Sequence, residues 1–187
     1  MAIKIYVDQG HNPENPNAGA EGNGLREQDI TYRVGEELAA LLRSNPDFEV
    51  RLSRPTPETM LGTSVNNESL QARCDDANTW GADYFVSIHT NASDNPAANG
   101  IEAFAYSQPS RAFSLGESIL ASLSAATGQR NRGMKVRPGL YVLRRTNMPA
   151  VLVEIGFITN PEEAALMYND PALYARGIYD GIVAELG

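Results

Sequence analysis

The chain holds only two histidines, His11 and His89. Each follows a stretch that reads as a strand, Met1 to Asp8 with its apolar Ile3, Ile5 and Val7 in one case and Tyr84 to Ile88 in the other, and each opens a loop. Open α/β sheets place their ligand crevice there, beyond the carboxyl ends of the strands. Two glutamates share or face that position. Glu27 stands where a long loop enters a helical stretch, and Glu154 lies at the end of the apolar run VLVEI. Two histidines and one glutamate form one of the standard catalytic zinc sets, with a fourth position left for water. A further carboxylate near that water is what a zinc hydrolase needs as general base. Taken singly, the residues have plainer readings. His11 reads as a loop histidine satisfied by backbone groups, His89 as a buried structural histidine, and Glu27 as a helix-start carboxylate. Glu154 resists such a reading, because a carboxylate inside a buried strand is costly unless it is paired or ligated. The spacing is not that of the helical H-E-x-x-H pattern, so the donors would come from separate loops.

The elements that must position these groups alternate between strand and helix. From Gln9 to Gly24 there are four Gly, four Asn and two Pro in 16 residues, which reads as one long loop. Ile30, Val34, Leu38, Leu41 and Leu42 fall at helical spacing, and that helix ends near Asn45-Pro46. Glu49 to Leu52 reads as a short strand, and Pro55, Pro57 and Gly62 mark a loop. Ser69 to Trp80 reads as a helix, Gly100 to Tyr106 as a strand, and Ala112 to Thr127 as a third helix. Leu140 to Leu143 and Val151 to Ile155 read as further strands. Pro161 opens a short helix and Ala172 to Leu186 forms the last one. Strands that are apolar along their whole length predict a single α/β domain spanning residues 1–187. Its sheet should be twisted and mostly parallel, with helices on both faces.

Composition narrows the partners. The 187 residues have a mass of 20.3 kDa, and surface scaling then gives roughly 70% of the unfolded surface buried. Fifteen basic residues against 23 acidic leave a net charge of −8, which argues against a general nucleic-acid binder. No apolar run approaches the ~20 residues of a membrane span, so an integral membrane protein is not expected. The single cysteine, Cys74, excludes an intrachain disulfide and a two-thiolate metal site. The first residues, MAIKIYVD, read as a strand and not as a signal peptide.

The stretches DQGHNPENPNAG, GLREQD, SIHTNAS and RGMKVRPGLYVLRRTNMPAVLVEIGFITNPEE, in that order, resemble the zinc-dependent N-acetylmuramoyl-L-alanine amidases, and more narrowly the type 3 amidases. The resemblance runs from Ile3 to the last helix. It implies a twisted sheet of about six strands between helices. The implied activity is hydrolysis of the amide joining the lactyl group of N-acetylmuramic acid to L-alanine in bacterial peptidoglycan. It also implies that His11, Glu27 and His89 bind zinc and that Glu154 is the catalytic carboxylate, accepting a proton and returning it to the departing amine. Asn91 and Arg144 sit in the same motifs. Each has a substrate-contacting reading and a structural one, Arg144 as a clamp on a stem-peptide carboxylate. The implied substrate places the activity outside the membrane, in the wall or periplasm, with the export signal supplied from elsewhere. One departure is Gln9, where many members carry Pro or Ala. Between His89 and Glu154 one ordinary amphipathic helix is read and no blocking insertion, which predicts an open site; a regulatory protein partner stays unidentified. Two rival classes, a non-catalytic wall-binding module and a zinc amidohydrolase or peptidase acting on other amides, are separated from an amidase by a wall digest.

Overall fold

Strands with no polar face need cover on both sides, and the computed structural model supplies it. It describes residues 2–62 and 67–187, so Met1, at the head of the expected first strand, lies outside the described residues. The elements run β1 (Ile3–Gln9), β2 (Glu21–Gly22), β3 (Leu25–Arg26), α1 (Glu27–Arg43), β4 (Phe48–Leu52), α2 (Glu68–Trp80) and β5 (Tyr84–Asn91). They continue with β6 (Ile101–Ala105), α3 (Arg111–Thr127), β7 (Asn131–Val136), α4 (Tyr141–Arg145), β8 (Ala150–Phe157), α5 (Pro161–Asn169) and α6 (Pro171–Leu186). Six strands form one sheet in the order β4-β1-β5-β8-β6-β7. All neighbours are parallel except β6 and β8. The expected mostly parallel α/β sheet is therefore present.

Alternation along the strands sends side chains to two cores. Ile5, Val7, Val86, Ile88, Val151 and Val153 meet Val34 and Leu38 of α1, Ile119 of α3 and Ile178 of α6. Tyr6, Phe85, Phe104 and Leu152 point the other way, against Cys74 and Ala77 of α2 and Val142 and Leu143 of α4. Continuing the second set toward the carboxyl ends of β1, β5 and β8 puts Asp8, Ser87, His89 and Glu154 on the same face. Register sets His89 directly beside Glu154, and Glu102 of β6 beside Glu154 on its other flank. One row across three strands thus carries an imidazole between-strand neighbour and two carboxylates.

Three local expectations need correction. Leu140 to Leu143 is not a strand. Tyr141–Arg145 is helical, with Val142 and Leu143 buried on one side. A four-residue apolar run fits either period, and here the partner surface decides. Asn131–Val136 is a strand that the polar sequence NRGMKV conceals. It lies at the sheet edge with a single neighbour, β6, where charged side chains are favoured. Within the long loop, β2 and β3 form a small hairpin around Asn23 and Gly24, both at positive φ. Asn-Gly between paired residues is the sequence signature of that two-residue turn.

Candidate active site

His11 leaves β1 with φ at 67°, in the left-handed region that costs a non-glycine residue free energy. A buried arginine holds it there. Arg73 of α2 donates through Nη2 to the His11 carbonyl at 2.7 Å, and through Nη1 to the Gln9 carbonyl at 2.7 Å. The same guanidinium pairs with Asp8 at 2.6 Å, both groups 1% exposed, and Ser87 donates to the other Asp8 oxygen. An ion pair between α2 and β1, with a hydroxyl of β5 donating to it, is thereby tied beneath the turn that carries His11. Gln9 tightens the same turn. Its side-chain oxygen accepts from the Arg54 amide at 2.8 Å, and its own amide donates to Ser53. The departure from Pro or Ala at this position thus adds an anchor to the loop after β4.

The ring of His11 is oriented by Asn17. The Asn17 carbonyl can only accept, so Nδ1–H donates to it at 3.2 Å and Nε2 faces Glu27 at 3.2 Å. Glu27 is the first residue of α1 and is buried. One of its oxygens meets His11 Nε2 and accepts from the Ala20 amide; the other meets His89 Nδ1 at 3.1 Å and accepts from the Thr90 amide. Burial opposes ionisation of Glu27, but the hydrogen bonds and charges of the two imidazoles outweigh it and hold the carboxyl far below its usual range. The two imidazole rings stand edge-on, centroids 4.9 Å apart. Gly10 makes room for them, since a Cβ there would lie 2.6 Å from the His89 ring. The loop-end histidine of the sequence reading is, for His89, a residue inside β5.

One ligand atom from each of His11, Glu27 and His89 lies within 4.8 Å of the others. Two imidazole nitrogens and one already ionised carboxylate match the donor preference of a catalytic divalent zinc ion, so the group fits the site. Glu154 lies in the next strand. Its Oε2 is buried without a hydrogen-bond partner. Burial pushes its carboxyl up to about 7, opposed by the positive charges of His89 and Arg137 and helped by the negative charges of Glu27 and Glu102. A carboxyl there can gain or lose a proton near neutrality.

Asn91 and Arg144 part company. Asn91, at the end of β5, donates to Glu102 at 2.9 Å and lies next to the row. Arg144 lines a separate cavity of about 440 Å³ with Tyr106, Arg111 and Ala150. Arg144 is exposed on α4. Sequence reading missed Glu102, which is buried and binds Arg132 at 3.2 Å, Lys135 and Asn91. The signal was available, for Glu102 is a carboxylate inside the apolar run IEAFA, the same anomaly that singled out Glu154. Arg73 and Asp8 carried no such signal.

A mostly parallel α/β sheet that gathers donors able to hold a metal ion at its strand ends, next to a carboxyl titrating near neutrality, has the parts that hydrolysis requires. Comparison with known proteins narrows the class. The family described as N-acetylmuramoyl-L-alanine amidase matches residues 5–184. The amidase LytC of Bacillus subtilis is 36% identical over 186 residues, covering 96% of this chain and 35% of LytC. The endolysin of Bacillus phage SPP1 is 34% identical over 194 residues, covering 100% of this chain and 67% of the endolysin. The CwlD amidase of Clostridioides difficile, solved in complex with the GerS lipoprotein, superposes with a TM-score of 0.90 at 28% identity, over 98% of both chains. The chain belongs to the type 3 N-acetylmuramoyl-L-alanine amidase family. Against its relatives it spans about a third of LytC and two thirds of the endolysin. Among the described residues, no helix is long and apolar enough to cross a membrane.

Proposed function

We propose that residues 1–187 form a catalytic domain that hydrolyses the amide between the lactyl carbonyl of N-acetylmuramic acid and L-alanine in peptidoglycan, using zinc held by His11, Glu27 and His89. The observation that carries this reading is the unpartnered, buried carboxyl oxygen of Glu154 beside that donor set, in a chain of this family. When bound, zinc lowers the pKa of water toward ~7 and polarises a carbonyl.

The chain's own groups do the rest. Glu154 receives a proton at Oε2 as water attacks the lactyl carbon, and hands it to the departing L-alanine nitrogen. A carboxyl near pH 7 suits both transfers, since a stronger acid would be a poorer base and a weaker one a poorer donor. Glu27 stays ionised throughout because both imidazoles and two backbone amides favour its charge. Arg73 and Asp8 keep His11 in its strained turn, so the backbone that carries this donor is set before binding. The substrate lies outside the membrane, and the domain acts in the wall or periplasm, as the wall amidases it resembles suggest. A protein partner belongs to the same proposal, on the precedent of CwlD with its lipoprotein.

The test is a digest of purified peptidoglycan with zinc-loaded protein. New amino-terminal L-alanine should appear while the glycan chains stay uncut, and His89→Ala should lose both the metal and the amine release. New reducing sugar ends, or new termini on another residue, would contradict the assignment.

A further inference from the structure

The face that carries Glu154 continues to β7, and its cations are not equivalent. Glu102 occupies Arg132 and Lys135. Arg137, immediately after β7, is different. Its backbone is fixed to the sheet, with the amide donating to the Ala105 carbonyl at 2.9 Å and the carbonyl accepting from Leu140. Its guanidinium lies over the Phe104 ring, 5.1 Å from the centroid. Among the described residues, no carboxylate lies within ion-pair distance of it. The ring holds the cation in place without neutralising it.

The spacing along β6 gives this cation a distance from the reaction. Glu102 stands beside Glu154, and Phe104 is two residues farther along the same strand face. Two strand residues span roughly 7 Å, which is also the length of two residues of an extended peptide. Phe104 itself is buried, and the exposed Arg137 guanidinium that covers it is the group a peptide leaving the scissile amide along that face would meet, at about its second residue. The surrounding face carries Glu27, Glu102 and Glu154, and the whole chain has a net charge of −8, so an acidic substrate needs a free cation here.

Resting on the amidase reading above, we propose that Arg137 is a specificity residue that receives a free carboxylate on the second residue of the stem peptide. Arginine suits the task, since its planar fork binds a carboxylate through two parallel hydrogen bonds.

The probes are two synthetic N-acetylmuramoyl-L-alanyl dipeptides that differ only in the second residue, which bears a free carboxylate in one and a carboxamide in the other. Wild type should prefer the carboxylate by about tenfold in kcat/KM, mainly through KM, because a partly exposed charge-assisted pair is worth on the order of one power of ten. Arg137→Ala should bring that ratio close to one, Arg137→Lys should keep part of it, and added salt should shrink it in wild type. Zinc content, measured in parallel, should be the same in all three proteins. An unchanged ratio in Arg137→Ala, or equal turnover of both probes by wild type, overturns the inference and leaves the amidase reading standing. Turnover of neither probe overturns the amidase reading and this inference with it.

Discussion

Replacing Glu154 by glutamine separates its chemical role from a structural one. Glutamine keeps the shape but neither takes nor gives a proton. Burial raises the Glu154 carboxyl from an ordinary 4.5 to about 7 in the metal-free fold. The folded state therefore binds the proton more tightly than the unfolded chain. The associated stability is fully present below pH 4.5 and is lost as pH rises toward 7. The gap between those two values, at 1.36 kcal/mol per pH unit, gives about 3 kcal/mol of destabilisation in wild type above pH 7. Glu154→Gln escapes that loss. Metal-free wild type and variant should melt together near pH 4 and diverge by pH 8, the variant higher by up to about 10 °C at 2–4 °C per kcal/mol for a domain of this size. The figure is an upper bound, because the glutamine amide enters the same position where Oε2 has no partner. Zinc-loaded variant should bind metal and lose wall hydrolysis by at least ~10²–10⁴-fold, the range for one proton transfer. Melting curves from pH 4 to 8 with chelator, and amine release by the same preparation with zinc, read both effects. A variant that melts lower than wild type at pH 8, or that retains near-normal turnover, would refute the reasoning. Such a result would make Glu154 a member of a structural ion pair.

Two further predictions concern how the donors are held. Arg73→Met leaves Asp8 charged and buried and releases the His11 carbonyl, so stability should fall by about 3–5 kcal/mol and zinc affinity should fall with it; denaturant melts and competitive zinc titration measure the two. Gly10→Ala puts a methyl group 2.6 Å from the His89 ring and the Ile88 carbonyl, so it should weaken zinc binding far more than a surface Gly→Ala such as Gly139→Ala, where the added Cβ meets nothing within 4 Å; equal zinc titrations of the two would contradict the packing described.

What the sequence made legible follows from how local each signal is. His11 and His89 each have a plainer reading alone, and they announce a site because the chain's two histidines both follow predicted strands and fall together with Glu27 and Glu154. Glu154 is visible because burying a carboxylate in VLVEI needs a reason. The helices and central strands are legible because periodicity is a property of a few consecutive residues. The edge strand β7 is not, since one neighbour and an exposed outer side leave it free to be polar. Nor is α4, because the four-residue apolar run Leu140 to Leu143 fits two periods until the cluster with Leu152 and Ala77 supplies the surface it packs on. The Asn23-Gly24 turn was legible and was overshadowed by the glycine and asparagine around it. Arg73 and Asp8 are 65 positions apart, and nothing local to either residue reveals that they meet. The same holds for the choice between Arg144 and Arg137. Both lie in one basic stretch, and only the fold shows that Glu102 takes Arg132 and Lys135, that Arg144 lines a cavity with Tyr106, Arg111 and Ala150, and that Arg137 lies over Phe104.

The central claim is that the carboxyl end of this sheet cleaves one particular amide. Its most direct test is the mass spectrum of products formed by zinc-loaded protein from a defined N-acetylmuramoyl peptide with a multi-residue stem. The account predicts two products only, N-acetylmuramic acid with a free lactyl carboxylate and the intact stem peptide with a free L-alanine amino terminus. Cleavage within the stem, or an unchanged substrate in the presence of bound zinc, would contradict it.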